Sequence, residues 1–153
     1  LMGQAWGADF VYDEMMLTGD GAGGQKRAKT TARQGAIQNA LLGFAPTRTL
    51  LRQFALPKPG QGPSKEERES GFYDVLFTGE TKDGRAMRGA VKGDKDPGYA
   101  STSKMISESA LCLAQDVGRD QTAGGVWTPG AALGAKLIAR LEANAGLRFA
   151  LEN

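Results

Sequence analysis

Six polar side chains are candidates for binding an anion or for moving a proton. Four bases lie on one predicted helix, and three of them, Lys26, Lys29 and Arg33, have spacings typical of a shared face. Tyr99 and Lys104 offer a phenol and an ammonium group, which some oxidoreductases use to deliver a proton; on an ideal helix they point roughly 140° apart, so they do not converge if both are helical. We therefore assign no catalytic residue and predict six substrate-binding or anion-facing positions: Lys26, Arg27, Lys29, Arg33, Tyr99 and Lys104.

Three glycines between residues 19 and 24 match the spacing G-x-G-x-x-G of a dinucleotide-binding loop. That loop works beside a second strand that ends in an acidic residue ~20 positions later and holds the ribose. No acidic residue lies between Asp20 and Glu66. We interpret the segment as a mobile glycine-rich loop, and the alternative, a phosphate site completed by the bases that follow, stays open.

Composition removes several classes of function. The chain has 153 residues, of which 41% are hydrophobic and 24% charged, as in an ordinary folded domain. It has no histidine and one cysteine, Cys112, so we exclude histidine-dependent triads and zinc chemistry and place the thiol in the core. No apolar run is long enough for a spanning helix and no signal peptide is recognisable, so we expect a cytoplasmic protein.

The net charge of +2 conceals an uneven distribution. Residues 21–58 carry seven bases and no acid, whereas residues 1–20 carry four acids and no base. A basic block of this kind is either a solvated face or a surface that attracts anions. No nucleic-acid-binding signature accompanies it, so we predict no nucleic-acid partner, and association with a membrane surface stays open.

The periodicity predicts an α+β fold, a mainly antiparallel sheet with helices packed on one face and without a Rossmann domain, in a single domain over residues 1–153. The Asp-Gly step at Asp83 predicts the turn of an antiparallel hairpin. The predicted elements, in chain order, are a strand over 8–17, a helix over 25–43, a short helix ending at 55, strands over 72–78 and 86–92, a helix over 99–116, a helix that starts at Pro129 after Thr128 and stops before Gly146, and a strand over 147–151.

Apolar spacing predicts which faces of the last two long helices are buried. The stripes are Ile106, Ala110, Leu113 and Val117 on the first, and Leu133, Leu137, Ile138 and Leu141 on the second. Lys104 and Glu108, four residues apart, predict a surface ion pair. We expect Glu108 and Asp116 to be solvated rather than a paired acid and base.

Taken together, several landmarks resemble the C-terminal part of saccharopine dehydrogenase-like oxidoreductases, including the bacterial branch described as trans-acting enoyl reductases. The resemblance extends over nearly the whole chain with its segments in order. The landmarks are Trp6-Gly7-Ala8-Asp9-Phe10-Val11-Tyr12-Asp13-Glu14, the connector Leu56-Pro57-Lys58-Pro59-Gly60-Gln61-Gly62-Pro63-Ser64, Gly79-Glu80, Asp96-Pro97-Gly98-Tyr99, Lys104-Met105-Ile106-Ser107-Glu108-Ser109-Ala110-Leu111-Cys112-Leu113-Ala114, and Gly125-Val126-Trp127-Thr128-Pro129.

The resemblance implies a larger enzyme in which an N-terminal Rossmann domain of the same chain binds NAD(P). This chain would then be the C-terminal domain that supplies a wall of the substrate cleft or a homodimer contact, binds no cofactor itself and is inactive alone. On this interpretation the glycines at 19–24 are unrelated to the true cofactor motif. The alternative is a non-catalytic binding or oligomerisation module.

Overall fold

A computed structural model of the protein describes residues 9–58 and 60–152. The described residues form two compact units, one ending at Gly62 and the other starting at Pro63. The first contains helices α1 (Gly21–Gly43) and α2 (Ala45–Phe54). The second contains α3 (Lys65–Ser70), β1 (Tyr73–Glu80), β2 (Ala86–Gly93), α4 (Ala100–Gln115), α5 (Pro129–Asn144) and β3 (Leu147–Glu152). None of the described helices is long and apolar enough to cross a bilayer.

The first unit is a pair of consecutive helices. A break at Phe44 separates them, and Pro46 stands in the first turn of α2, where its missing N–H is not needed. The predicted strand over residues 8–17 is wrong for the described part, since residues 9–17 form no strand; residue 8 lies outside the described residues. Its alternation of apolar residues was incomplete, and a strand is stable only when a partner strand satisfies its backbone.

Little of this helix pair is buried. Gly24 is the buried residue of α1, and α2 has none. Apolar side chains that the helical spacing would place on a core are exposed, Leu41 by 43%, Ile37 by 50% and Phe44 by 62%. Helix propensity and local hydrogen bonds therefore hold this unit more than apolar burial does.

The second unit is built on a three-stranded antiparallel sheet in the order β1-β2-β3. The predicted hairpin is confirmed, with Gly84 at φ 82° in the loop that joins β1 to β2. Directly opposite residues share a face, so each cross-strand row belongs to one side of the sheet. One face is apolar, with rows Tyr73–Gly93–Leu147, Val75–Val91–Phe149 and Phe77–Gly89–Leu151.

The core lies where α4 and α5 meet one end of this apolar face. Its buried members are Cys112, Leu133, Leu137, Leu141, Ala145 and Leu147, and Val91 and Phe149 of the sheet pack against them. The α+β class with an antiparallel sheet is thus confirmed. Among the described residues no parallel strand pair, and hence no Rossmann unit, is present.

Helix α4 buries a different face from the predicted one. Ile106 is 68% and Leu113 59% exposed, whereas Ser101 and Cys112 are fully buried. The cause lies on α5, where Arg140 forms ion pairs with Glu108 and Asp116 and so turns that side of α4 inward. Of the predicted apolar stripe, Ile106, Ala110 and Leu113 therefore lie on the outer side of α4, whereas Val117, just after the helix, packs against the core as expected.

Helix α5 follows the prediction at both ends. Pro129 is its first residue after Thr128, and Gly146 after its end has φ 75°. Leu133, Leu137 and Leu141 are buried as expected, but Ile138 is 41% exposed. Gly134 interrupts the helix with φ 53° and ψ −134°, and the hydroxyl of Thr122 donates to the Ala132 carbonyl oxygen at 3.0 Å.

The short helix α3 was not predicted. Six residues are too few for apolar periodicity to be visible. Its signal is instead a capping box: the Ser64 hydroxyl accepts from the Glu67 N–H at 3.1 Å, and the Glu67 carboxylate accepts from the Ser64 N–H at 2.7 Å. This S-x-x-E pattern was available in the sequence.

Candidate functional site

The basic residues of the predicted anion-facing set lie on α1. Lys26, Lys29 and Arg33 project from its exposed surface. Arg27 has an internal role, because its Nε donates to the Thr18 carbonyl oxygen at 2.6 Å. Three of the four bases therefore present cationic groups to solvent from one helix, and the fourth holds the segment before α1 against its first turns.

The glycine segment does not have the geometry of a nucleotide-binding loop. No strand precedes it among the described residues, and residues 21–24 form the first turn of α1 rather than the predicted mobile loop. A Cβ on Gly24 would collide with the Gly19 carbonyl, so backbone fills the space that a pyrophosphate needs. The described residues do not fit a dinucleotide here.

Tyr99 and Lys104 lie at the start of α4, on the second unit. Tyr99 is the N-cap residue and is 56% exposed, and Lys104 is partly buried one turn into the helix. The Asp96 carboxylate accepts from the Tyr99 N–H at 2.7 Å and from the Ala100 N–H at 3.3 Å. These N–H groups lower the pKa of Asp96, so this protein's own carboxylate occupies the helix N-terminus.

The predicted ion pair between Lys104 and Glu108 is replaced by a larger network. Arg140 Nη1 lies 3.1 Å from Glu108 Oε2, and Arg140 also binds both carboxylate oxygens of Asp116. Asn144 Nδ2 donates to Glu108 at 3.2 Å. Glu108 and Arg140 are only 14% and 19% exposed, so the expectation that Glu108 is solvated is wrong.

This network is structural rather than catalytic in its chemistry. Arg140 lowers the pKa of Asp116, and the two carboxylates in turn raise the pKa of Arg140. Asp116 and Arg140 therefore stay charged near neutral pH, and neither is poised to exchange a proton. Their shared effect is to fix α4 against α5.

Cys112 lies beside this network and is fully buried, as predicted. Burial is the main cause that raises the pKa of its thiol, and the Asp116 carboxylate adds to it. A thiol held protonated and out of solvent is a poor nucleophile. Among the described residues no cluster of acids and cysteine could hold a metal ion.

A polar contact between Tyr73 and Ser101 was not predicted. The Tyr73 hydroxyl lies 2.9 Å from the hydroxyl of the fully buried Ser101. The ring lies over Gly93, where a Cβ would collide with it. The contact joins residues 28 positions apart, so no local sequence pattern predicts it. It fixes the first turn of α4 to the sheet.

The remaining candidate is a hollow on the apolar face of the sheet, beyond the end that α4 and α5 cover. It has a volume of about 270 Å³ and is open to solvent. Phe77 and Leu151, on either side of Gly89, are 54% and 77% exposed. The residues that line it are Phe77, Gly89, Ala90, Val91, Phe149, Ala150 and Leu151.

Gly89 creates this hollow. A glycine within a strand weakens the strand and often marks a place where a ligand or another backbone approaches closely. A Cβ on Gly89 would meet one described atom within 4 Å, the Ala150 carbonyl oxygen at 3.6 Å, which is ordinary contact. Packing within the described chain therefore does not require glycine here, in contrast to Gly93.

Comparison with curated proteins finds relatives that carry one name. The chain is 38% identical over 142 residues to the trans-acting enoyl reductase of Mycobacterium ulcerans and 34% identical over 141 residues to that of Mycobacterium tuberculosis. Both matches cover 90% of this chain and 33% of the relative. The trans-acting enoyl reductase of Mycobacterium bovis matches to the same extent as that of M. tuberculosis.

The chain thus spans about a third of the length of the curated relatives that it matches. No family model matches the chain. No solved structure matches it significantly either.

Proposed function

We propose that this chain is the substrate-side part of an NAD(P)-dependent, saccharopine dehydrogenase-like enoyl reductase that acts in the cytoplasm, and that it is inactive alone. The names of the relatives, matched over most of this chain but a third of their own length, support this reading. In the proposed enzyme the polypeptide beyond the matched third holds the cofactor, since the glycine segment does not fit a dinucleotide.

The observation that carries the proposal is the apolar hollow over Gly89. Reduction of an enoyl group requires that its acyl chain be held in place and shielded from water. An open apolar floor between Phe77 and Leu151 suits one side of such a chain. These side chains would bind and orient the substrate, and we assign no proton or hydride step to them.

The exposed bases of α1 have a separate role in this proposal. Lys26, Lys29 and Arg33 carry positive charge with no acidic neighbour along the helix. We assign them to an anionic tail of the substrate or to an acidic surface of a neighbouring domain.

The proposal is tested by titrating the chain with a medium-chain 2-enoyl thioester and following backbone amide shifts by NMR. We expect shifts centred on residues 77, 89 and 151, and binding at least about tenfold weaker in Gly89→Leu, a loss of at least about 1.4 kcal/mol. Gly79→Leu is the matched control. Gly79 is also a glycine of the β1–β2 pair, and a Cβ there would meet nothing within 4 Å, but Gly79 does not line the hollow.

Two results contradict the proposal. If Gly89→Leu and Gly79→Leu weaken binding of the thioester equally, the hollow is not the binding surface. Tight binding of NADPH to this chain, measured by isothermal titration calorimetry, would show that the cofactor-binding site lies within this chain.

A second candidate function is a non-catalytic assembly module. The observation that favours it is the exposed outer edge of β1, where seven of eight residues are exposed.

A further inference from the structure

The two edges of the sheet differ in how they are protected. An edge strand presents unpaired N–H and C=O groups, and natural proteins block such edges with charges, bulges, proline or covering elements. On β3, the Glu142 carboxylate of α5 accepts from the Phe149 N–H at 3.1 Å. Leu147 of the same strand is buried in the core. The β3 edge is therefore covered by α5 from Leu147 to Phe149.

Within residues 63–152 the β1 edge has no such protection. Its backbone hydrogen bonds run to β2 alone, in an uninterrupted register from Tyr73 to Glu80. The strand contains no lysine, arginine or proline and no bulge. Asp74 is the charge nearest the middle of the strand, and Lys92 on β2 neutralises it at 2.9 Å.

The middle of this edge, between Asp74 and Thr78, carries apolar side chains on both faces. Val75 and Phe77 lie on the apolar face and Leu76 on the other, and they are 41%, 54% and 39% exposed. A long, apolar, regular edge of this kind is a template for another strand.

From these observations we infer that β1 pairs with β1 of a second copy of this chain, antiparallel across a two-fold axis at Leu76, to form a continuous six-stranded sheet. In this register Leu76 faces Leu76 of the second copy and Val75 faces its Phe77, so apolar residues meet on each face. Asp74 faces the neutral Thr78. A two-fold axis makes such a contact self-limiting.

The neighbouring registers that keep the apolar face continuous are worse. Centring the axis on Phe77 places Asp74 opposite Glu80, a like-charge pair that occurs twice in a symmetric dimer. Centring it on Val75 places Asp74 opposite Leu76. The edge is thus self-complementary in one register, where apolar residues meet apolar residues and Asp74 meets a neutral residue, and this complementarity is the argument for a second copy as the partner. The inference does not depend on the proposed enzymatic function.

Leu76→Cys tests the pairing directly in the full chain. The natural thiol, Cys112, is buried and does not compete. Mild oxidation is expected to give a disulfide-linked dimer, because cysteines at the axis lie within disulfide reach in an antiparallel pair. Ala150→Cys is the matched control, since Leu76, Ala90 and Ala150 form one cross-strand row and Ala150 lies on the protected edge.

Sedimentation over a concentration series provides the second measurement. The unmodified chain is expected to show a reversible monomer–dimer equilibrium. Phe77→Lys is expected to weaken the dimer at least about tenfold. Leu151→Lys, at the other end of the same row, is expected to leave it unchanged. Circular dichroism establishes that each variant is folded.

Every other outcome overturns the inference. A chain that is monomeric at all concentrations has no such pairing, whether or not the edge is covered by further polypeptide in a longer protein. Equal cross-linking of Leu76→Cys and Ala150→Cys would indicate random collision. Open-ended polymers would mean that both edges pair. Loss of the dimer in Leu151→Lys but not in Phe77→Lys would move the contact to β3.

Discussion

Helices α1 and α5 both carry apolar residues at helical spacing, yet only α5 buries them. Leu137 of α5 is 7% exposed and Leu41 of α1 is 43% exposed. The difference lies in what each helix packs against: α5 meets α4 and the apolar face of the sheet, whereas the described first unit offers α1 a single short helix. Apolar spacing predicts a helix, and a second layer is needed to turn that spacing into a core.

The largest expected effect comes from removing a core leucine. Leu137→Ala should lower the free energy of unfolding by about 3 kcal/mol, through lost burial and a residual cavity. Leu41→Ala should lower it by about 0.5 kcal/mol or less, because Leu41 lies at the surface and is 43% exposed in the folded protein. Urea denaturation followed by circular dichroism measures both, and equal losses would refute the contrast between the two helices.

Two glycines of β2 allow the same contrast between a packed and an open position to be tested within the sheet. Gly93→Ala should cost about 1–3 kcal/mol, because the new methyl group meets the Tyr73 ring. Gly89→Ala should instead stabilise the protein by about 0.5 kcal/mol, since it removes the entropic cost of glycine and the new methyl group makes only an ordinary contact with the Ala150 carbonyl oxygen. Thermal midpoints of the two variants should therefore shift in opposite directions. A destabilised Gly89→Ala would show that this position is already packed.

A smaller effect, and one that depends on pH, is expected for Arg140→Met. Because Arg140 lowers the folded-state pKa of Asp116, the stability from that pairing is present above the ordinary carboxyl pKa of about 4 and is lost as the pH falls through the lowered value. Removing the guanidinium leaves Glu108 and Asp116 without their cation, so the variant should be destabilised most at neutral pH and least in acid.

This pH dependence is tested by measuring unfolding midpoints of Arg140→Met and the unmodified chain from pH 2 to pH 7. The range brackets the ordinary carboxyl pKa of about 4. Arg119→Met, a change in an exposed loop, is the control and should leave the pH profile unchanged. A loss of stability that is constant with pH in Arg140→Met would mean that the side chain acts by packing alone.

Features governed by neighbouring residues were predictable from the sequence. The β1–β2 hairpin follows from an Asp-Gly turn between alternating segments, and the limits of α5 follow from Pro129 and Gly146. The prediction of a strand before α1 was wrong for residues 9–17. A strand needs a partner strand, and local alternation of apolar residues does not reveal whether one is present. The prediction of the inward face of α4 was wrong because that face carries the partners of Arg140. Arg140 lies 24 and 32 residues away from these partners in the sequence, beyond the reach of a local pattern.

The candidate site was less predictable for the same reason. The Tyr73–Ser101 contact and the hollow over Gly89 both arise from residues brought together across strands and helices. The six predicted anion-facing residues are divided between the two units, four on α1 and two at the start of α4. Their binding role stays a prediction.

The interruption of α5 at Gly134 has a consequence for the segment before the helix. Because the backbone turns there, the Ala132 carbonyl is free to accept from the Thr122 hydroxyl, which anchors the stretch leading to Trp127. Side-chain-bearing residues seldom adopt φ 53° with ψ −134°. Glycine therefore suits this bend, and a side-chain-bearing residue at position 134 would strain the backbone beside the carbonyl that holds Thr122.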